Sequence, residues 1–99
     1  MKILTDKQQE LYDSFYESTH DNEYLDQKTE VLVGLSAAIA MSCDPCVRYY
    51  LVQAKKEKIP KGAISEVIAK VMAVSAGQKR LQVDEVIDQH GICLDSYDE

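Results

Sequence analysis

The sequence has no apolar stretch as long as a transmembrane helix, which needs roughly 18 residues. The longest, Val31 to Met41, is too short to cross a bilayer. The opening segment, MKILTDKQQE, is polar and lacks the apolar region of a secretory signal peptide. We therefore expect a cytoplasmic protein with no membrane partner.

Positive charge is also scarce. The 99-residue chain has 11 Lys and Arg against 17 Asp and Glu, which gives a net charge of −6. A nucleic-acid surface needs clustered Lys and Arg, and the one basic run, between Lys55 and Lys61, is interrupted by Glu57. Such a run is typical of a solvated helix end, so we expect no nucleic-acid partner.

Cysteine is sparse, and its count of three is odd. An odd count does not make a structural disulfide framework, and cytoplasmic thiols stay reduced unless they are used. The ordinary composition, 45% hydrophobic and 28% charged, indicates one globular domain over residues 1–99. A chain of this length buries only about two-thirds of its unfolded surface when it folds alone, which favours self-association. Nothing in the sequence requires a cofactor, and none is expected.

The remaining pattern is helical almost throughout and predicts an all-α fold of about five helices. Thr5 or Asp6 can cap the first helix, and Asp26 can cap the second. Gly77 is expected to separate a fourth helix from a fifth, and Gly91 is a suitable residue to end the last one.

The second predicted helix, QKTEVLVGLSAAIAMS, is apolar and rich in small residues. It is predicted to pair antiparallel with the third helix, with the connection at Ser42–Asp44. Small side chains let another helix approach closely, and in so short a chain they suggest burial between subunits. We expect a homo-oligomer. The small residues are Gly34, Ser36, Ala37, Ala38 and Ala40.

The stretch SCDPCVRYY, from Ser42 to Tyr50, contains a Cys-x-x-Cys pair. Asp44 is a good N-cap and Pro45 suits the first position of a helix, so a helix is predicted to begin between the two cysteines. That start places Cys46 in the first turn and Cys43 just outside it. The helix dipole and its free N–H groups can favour a thiolate there. A redox dithiol, part of a metal site and simple packing all remain open at this point.

A second pair with metal-ligand spacing occurs near the end of the chain, His90 and Cys93. Together with Cys43 and Cys46 it could form a Cys₃His zinc site. The alternative is that His90 lies at a helix C-terminus, that Gly91 ends the helix, and that Cys93 packs as a small hydrophobe. We favour this alternative and expect no metal, since the two halves are far apart in sequence.

The stretch KTEVLVGLSAAIAMSCDPCVRYYLVQA, from Lys28 to Ala54, resembles the carboxymuconolactone decarboxylase family, which includes the alkylhydroperoxidase AhpD-like proteins. The resemblance implies an all-helical fold, assembly into trimers or hexamers, and thiol-dependent reduction of peroxides. It also implies that Cys46 attacks the peroxide and that Cys43 resolves the product. Tyr50 lies four residues after Cys46, on the same face of the helix.

The chain departs from the family pattern at two positions. The family has Glu twelve residues before the first cysteine and His four residues after the second, where this chain has Val31 and Tyr50. Glu30 is adjacent, but one residue turns a helix by about 100°, so its carboxylate is expected to point elsewhere. Tyr is a poor base at neutral pH, although its hydroxyl can donate a hydrogen bond. We therefore expect weak peroxidase activity and no lactone decarboxylation.

Glu30, Glu66 and Arg48 are further residues that could support the thiols, although a surface position is the simpler interpretation of Glu66 and Arg48. His20, in STHDNEY, is interpreted as a loop histidine. A disulfide-exchange partner, either a protein or a small thiol, is consistent with the dithiol. The alternative to a redox protein is a non-enzymatic, oligomeric helical scaffold whose cysteines serve packing.

Overall fold

The computed structural model describes residues 2–98, which contain α-helices and one 3₁₀ helix and no strand. The helices are α1 (Asp6–Ser18), α2 (Gln27–Ala40), α3 (Asp44–Lys56) and α4 (Lys61–His90), followed by the 3₁₀ helix Leu94–Asp98. The all-α prediction is confirmed. Within residues 2–98 no helix is both long enough and apolar enough to cross a membrane.

Local capping signals set where the first two helices begin. The Thr5 side chain accepts a hydrogen bond from the backbone N–H of Gln8, whose side chain bonds back to the N–H of Thr5, which makes a capping box. At the start of α2, the N–H of Thr29 donates to Asp26 Oδ1 at 2.8 Å. Both predicted caps are confirmed.

The start of α3 differs by one residue from the prediction. Asp44 was expected as the N-cap, but Cys43 occupies that position, and Asp44 is the first helical residue. Cys43 has an extended backbone and makes no side-chain cap. Pro45 lies in the first turn, where its missing N–H leaves no hydrogen bond unmade.

The predicted break at Gly77 is wrong, because α4 continues through it for 30 residues. A single glycine inside a helix costs only about 1 kcal/mol relative to alanine. No proline follows Gly77, and the next residues, QKRLQ, are good helix formers. The helix ends at Gly91, which has the left-handed backbone conformation (φ +60°), as predicted.

Three helices end in the same hydrogen-bonding pattern, the Schellman motif. A residue with positive φ closes each of them: Ser42 after α2, Lys58 after α3 and Gly91 after α4. The residue that follows donates its N–H to a carbonyl five residues back; for α2 this bond runs from Cys43 to Ala38 at 3.0 Å. Only one of the three positions has the glycine that this conformation favours.

Helix α2 is the centre of the structure and packs against both α3 and α4. Helices α2 and α3 are antiparallel, because Val31 packs with Ala54 at one end of the pair and Ala38 meets Cys43 at the other. The core is small, and neither α1 nor α4 contributes a fully buried residue. The buried apolar residues are Val31, Leu35, Ala38, Ala54 and Ile59.

The chain is elongated, with extents of 60 × 40 × 27 Å and a radius of gyration of 19.6 Å. A compact domain of this length has a radius of gyration of about 13 Å. The elongation accompanies large apolar side chains on α1 and α4 that remain exposed. Examples are Leu11, Phe15, Met72 and Leu81.

Candidate functional site

The two cysteines of the SCDPCVRYY stretch lie at disulfide-bonding distance, with their Cα atoms 5.2 Å apart. Cys43 is the N-cap of α3, and Cys46 lies within the first turn. Both residues are partly buried and partly accessible to solvent. The pair can therefore bond internally and can also be reached from outside, as a redox dithiol requires.

The backbone around Cys43 is fixed on both sides. Its N–H donates to the carbonyl of Ala38 at 3.0 Å, and its own carbonyl accepts from the N–H of Val47 at 2.9 Å. The first bond closes the end of α2, and the second begins α3. The left-handed conformation of Ser42 makes the turn between them. The backbone of Cys43 is thus hydrogen-bonded to both helices.

Tyr50 lies one turn after Cys46, and its ring packs directly on Gly34 of α2. The ring is partly buried, and this burial raises the pKa of the Tyr50 hydroxyl, with a further contribution from the negative charge of Glu30. The hydroxyl therefore keeps its proton at neutral pH. It can donate a hydrogen bond, as predicted for this residue, and it cannot act as a base.

Glu30 is buried, with only 7% of its surface exposed. It lines a cavity of about 250 Å³ together with Gly34, Ala37 and Tyr50. Its carboxylate is expected to point away from the direction of the family Glu, and the lining of the cavity that it faces includes Tyr50 and neither cysteine. Val31 is the residue that packs into the core, and this sets the rotation of α2 so that Glu30 faces the cavity beside α3.

His20 lies in the loop between α1 and α2, as interpreted from the sequence, but it also belongs to the site. Its Nδ1 atom is 3.4 Å from Oε1 of Glu30, and both side chains are largely buried. The imidazole ring packs edge-on against Tyr16 of α1 and Tyr49 of α3, with ring centroids 4.8 and 5.8 Å away. Sequence reasoning missed this pairing because His20 and Glu30 are ten positions apart and lie on opposite sides of an irregular loop.

Tyr49 joins this cluster to Tyr50, since their ring centroids lie 5.0 Å apart in an edge-to-face arrangement. Burial raises the pKa of the Tyr49 hydroxyl, and the neighbouring Tyr16, Glu30 and Glu17 raise it further. The tyrosines thus stay neutral beside the carboxylate. We call His20, Glu30, Tyr49 and Tyr50 the polar cluster of the site.

The other sequence candidates are not part of the polar cluster. Arg48 and Glu66 are both exposed, and within residues 2–98 neither makes an ion pair. Cys93 is a free, exposed thiol, which differs from the buried packing expected for it. The Cys₃His zinc hypothesis is not supported, because the described part of the chain brings together no group of three or more metal-ligating residues.

We compared the chain with solved structures, curated proteins and protein families. A crystal structure of a protein from Methanobacterium thermoautotrophicum superposes with a TM-score of 0.72 and 22% identity, over 78% of this chain and 86% of that one. At this identity the likeness shows a shared fold. No curated protein matches the chain. The model of the carboxymuconolactone decarboxylase family matches residues 7–89, and the chain belongs to that family.

Proposed function

We propose that the protein is a thiol-dependent redox protein that reduces hydroperoxides with the Cys43/Cys46 pair. One observation carries the proposal: the sulfurs of two partly exposed cysteines lie within bonding distance at the start of a helix. A helix N-terminus favours the thiolate, which is the form of cysteine that reacts. Family membership over residues 7–89 supports the same reading.

The proposed cycle begins with the two thiols reduced. The Cys46 thiolate attacks the terminal oxygen of a hydroperoxide, the O–O bond breaks, and the leaving alkoxide takes up the thiol proton to become an alcohol. Cys46 is then a sulfenic acid. The Cys43 sulfur displaces its hydroxyl group, which leaves as water with the Cys43 proton, and the disulfide forms. Two electrons pass from the thiols to the peroxide.

A dithiol, either a partner protein or a small molecule, completes the cycle by two exchange steps. Its first sulfur forms a mixed disulfide with one cysteine, and its second sulfur displaces that cysteine and leaves oxidised. The cellular compartment in which the protein works must supply such reductants. We propose the cytoplasm, because thiols are kept reduced there.

Tyr50 is proposed to donate a hydrogen bond to the thiolate or to the bound peroxide oxygen. Its raised pKa supports this role, because the hydroxyl stays protonated. A hydrogen bond to a charged group contributes about 1.5–3 kcal/mol, so Tyr50→Phe is expected to slow peroxide reduction roughly 10- to 100-fold. Tyr50 cannot accept a proton as the family His at this position would, so we propose that peroxide reduction is weak.

The test is a count of free thiols before and after addition of a hydroperoxide. Cys93 is exposed and free, so the count is made in a Cys93→Ser background, in which only the pair can react. Loss of both thiols is expected there, with one equivalent of alcohol formed. Cys43→Ser in the same background should stop at a sulfenic acid, which a dimedone probe traps, and Cys46→Ser should not react with the peroxide.

A background protein that keeps both thiols after treatment, and alkylates only at the pH of an ordinary cysteine, would rule out the redox function. It would leave the non-enzymatic scaffold as the better account of the family fold. Metal analysis of the same sample separates the zinc alternative, since a zinc protein would protect its thiols from alkylation until the metal is chelated.

We also propose that the protein works as a homo-oligomer, with a trimer or hexamer as the expected state. A groove of about 930 Å³ lies between α2 and α4 and is lined mostly by small and apolar side chains, including Ala37, Ala40 and Met72. Met72 is 65% exposed, and further along α4 Leu81 is 70% exposed and Val83 56%. A second copy would cover these surfaces.

Light scattering after size exclusion tests the assembly. The wild type is expected at a multiple of the monomer mass, and Met72→Glu should shift it toward the monomer. Lys55→Glu, which places a carboxylate on an exposed end of α3 away from the groove, is the matched control and should leave the mass unchanged. A monomeric wild type at micromolar concentration would contradict the proposal.

A further inference from the structure

We propose that His20 is a positioning residue of the dithiol site, which holds the Glu30 carboxylate as the acceptor of the proton released by the attacking thiol. The inference rests on the proposed redox function. His20 lies outside the Lys28–Ala54 stretch that carries the family resemblance in sequence. We therefore infer the role of His20 from its contacts in the folded chain.

The burial of Glu30 is the first observation. Only 7% of its surface is exposed, and it is the one charged residue among the buried residues of the described chain. Removing a carboxylate from water is unfavourable unless a partner compensates. His20 supplies that partner, with Nδ1 3.4 Å from Oε1 and a side chain that is 21% exposed.

The packing of the imidazole ring is the second observation. Tyr16 and Tyr49 hold the ring edge-on from two different helices, so the loop between α1 and α2 is fastened at His20 against both. The orientation of the ring toward Glu30 is thereby fixed. The ionisable groups around it are Glu17, Glu30, Tyr16, Tyr49 and Tyr50.

The position of Glu30 relative to the thiols is the third observation. Glu30 and Tyr50 line one cavity, and Tyr50 is one helical turn from Cys46. The phenol keeps its own proton, as shown above. Glu30 is therefore the other ionisable group that lines this cavity, and we assign to its carboxylate the uptake of the thiol proton and its return to the departing alkoxide.

Two variants of His20 and one control separate a hydrogen-bonding role of His20 from a packing role. His20→Phe keeps an aromatic ring between Tyr16 and Tyr49 but has no nitrogen for Glu30. His20→Asn lacks the ring but offers an amide N–H close to the position of Nδ1. His90→Asn is the matched control, since His90 is an exposed residue at the end of α4.

The measured quantity is the rate of disulfide formation by a hydroperoxide as a function of pH, in the Cys93→Ser background. His20→Phe is expected to lose on the order of 10²-fold at neutral pH, the lower range for a positioned acid–base group. Its pH profile should differ from that of the parent, because Glu30 has lost the partner that His20 supplies. His20→Asn should recover at least tenfold of this loss, and His90→Asn should match the parent.

A second readout does not depend on activity. The imidazole resonances of the two histidines are followed by NMR against pH, with His90→Asn assigning them. Glu30→Gln should displace the ring resonances of His20, which contacts Glu30, and leave those of His90 in place. Unchanged His20 resonances would overturn the pairing.

The outcomes for the two proposals are distinct. A parent protein that forms no disulfide with peroxide overturns the redox function and the role of His20 with it. A parent that oxidises normally, together with a His20→Phe variant of unchanged rate and pH profile, overturns the role of His20 alone. A His20→Asn variant no faster than His20→Phe overturns it as well.

Discussion

Gly34 of α2 lies against the Tyr50 ring of α3, and Gly34→Ala tests the packing of the candidate site directly. A Cβ at this position would lie 2.8 Å from Cδ1 of Tyr50 and closer still to Cε1 and Cζ. Side-chain carbons normally stay about 3.5–4.0 Å apart. The Tyr50 ring must therefore move by more than half an ångström, and the hydroxyl moves with it.

Two opposing effects determine the change in stability. Alanine favours a helix over glycine by about 1 kcal/mol, while forcing a methyl group into a packed contact costs about 1–3 kcal/mol. We expect a net loss of about 0–2 kcal/mol. Gly77→Ala is the matched control, because a Cβ there meets no atom within 4 Å, and it should gain up to about 1 kcal/mol.

Urea unfolding at one protein concentration measures both variants, and Gly34→Ala is repeated in a Tyr50→Ala background. With the ring removed, the added methyl group should stabilise the protein as it does at Gly77. The double-mutant cycle should therefore show a coupling of about 1–3 kcal/mol between the two positions. A Gly34→Ala variant that gains as much stability as Gly77→Ala, with no coupling to Tyr50, would refute the contact.

Two further predictions concern helix ends. The hydrogen bonds that Asp26 accepts, first from the backbone of Thr29, lower the pKa of its carboxyl group, so the folded state favours the ionised form. The stability that the ionised cap adds is fully present above the ordinary aspartate pKa. It is lost as pH falls through the lowered value. The urea midpoint of Asp26→Asn should therefore fall less than that of the wild type between about pH 5 and pH 2; equal slopes would argue against the cap. Lys58 has a left-handed backbone with φ +57°, so Lys58→Gly should raise thermal stability by up to about 1 kcal/mol. Gly91→Ala, at φ +60°, should lower it by about 1 kcal/mol. The opposite order of melting temperatures would contradict the Schellman motif at these two helix ends.

The parts of the fold that sequence reasoning recovered depend on neighbours in the chain. The capping box at Thr5 and the cap at Asp26 use groups within three residues, and the stop at Gly91 uses the conformational freedom of glycine itself. Gly77 was misread because the same residue type is tolerated inside a helix when no proline or cap follows.

In the candidate site too, sequence reasoning recovered the features that depend on neighbouring residues and missed those that depend on tertiary packing. The cysteine pair was recognisable because one turn of chain brings the two residues together. The direction of Glu30 was not, since the rotation of α2 is decided by the packing of Val31 against Ala54. His20 carried no sequence signal at all, because its place beside Glu30 depends on how a loop docks against helices from elsewhere in the chain.

The two sulfurs are joined across only three positions of sequence, and Cys43 is held by backbone hydrogen bonds that involve no sulfur atom. Opening and closing the S–S bond therefore crosslinks no remote segments and requires no rearrangement of the interhelical contacts. Oxidised and reduced protein should share one architecture, so a partner would recognise the same outer surface at every stage of turnover.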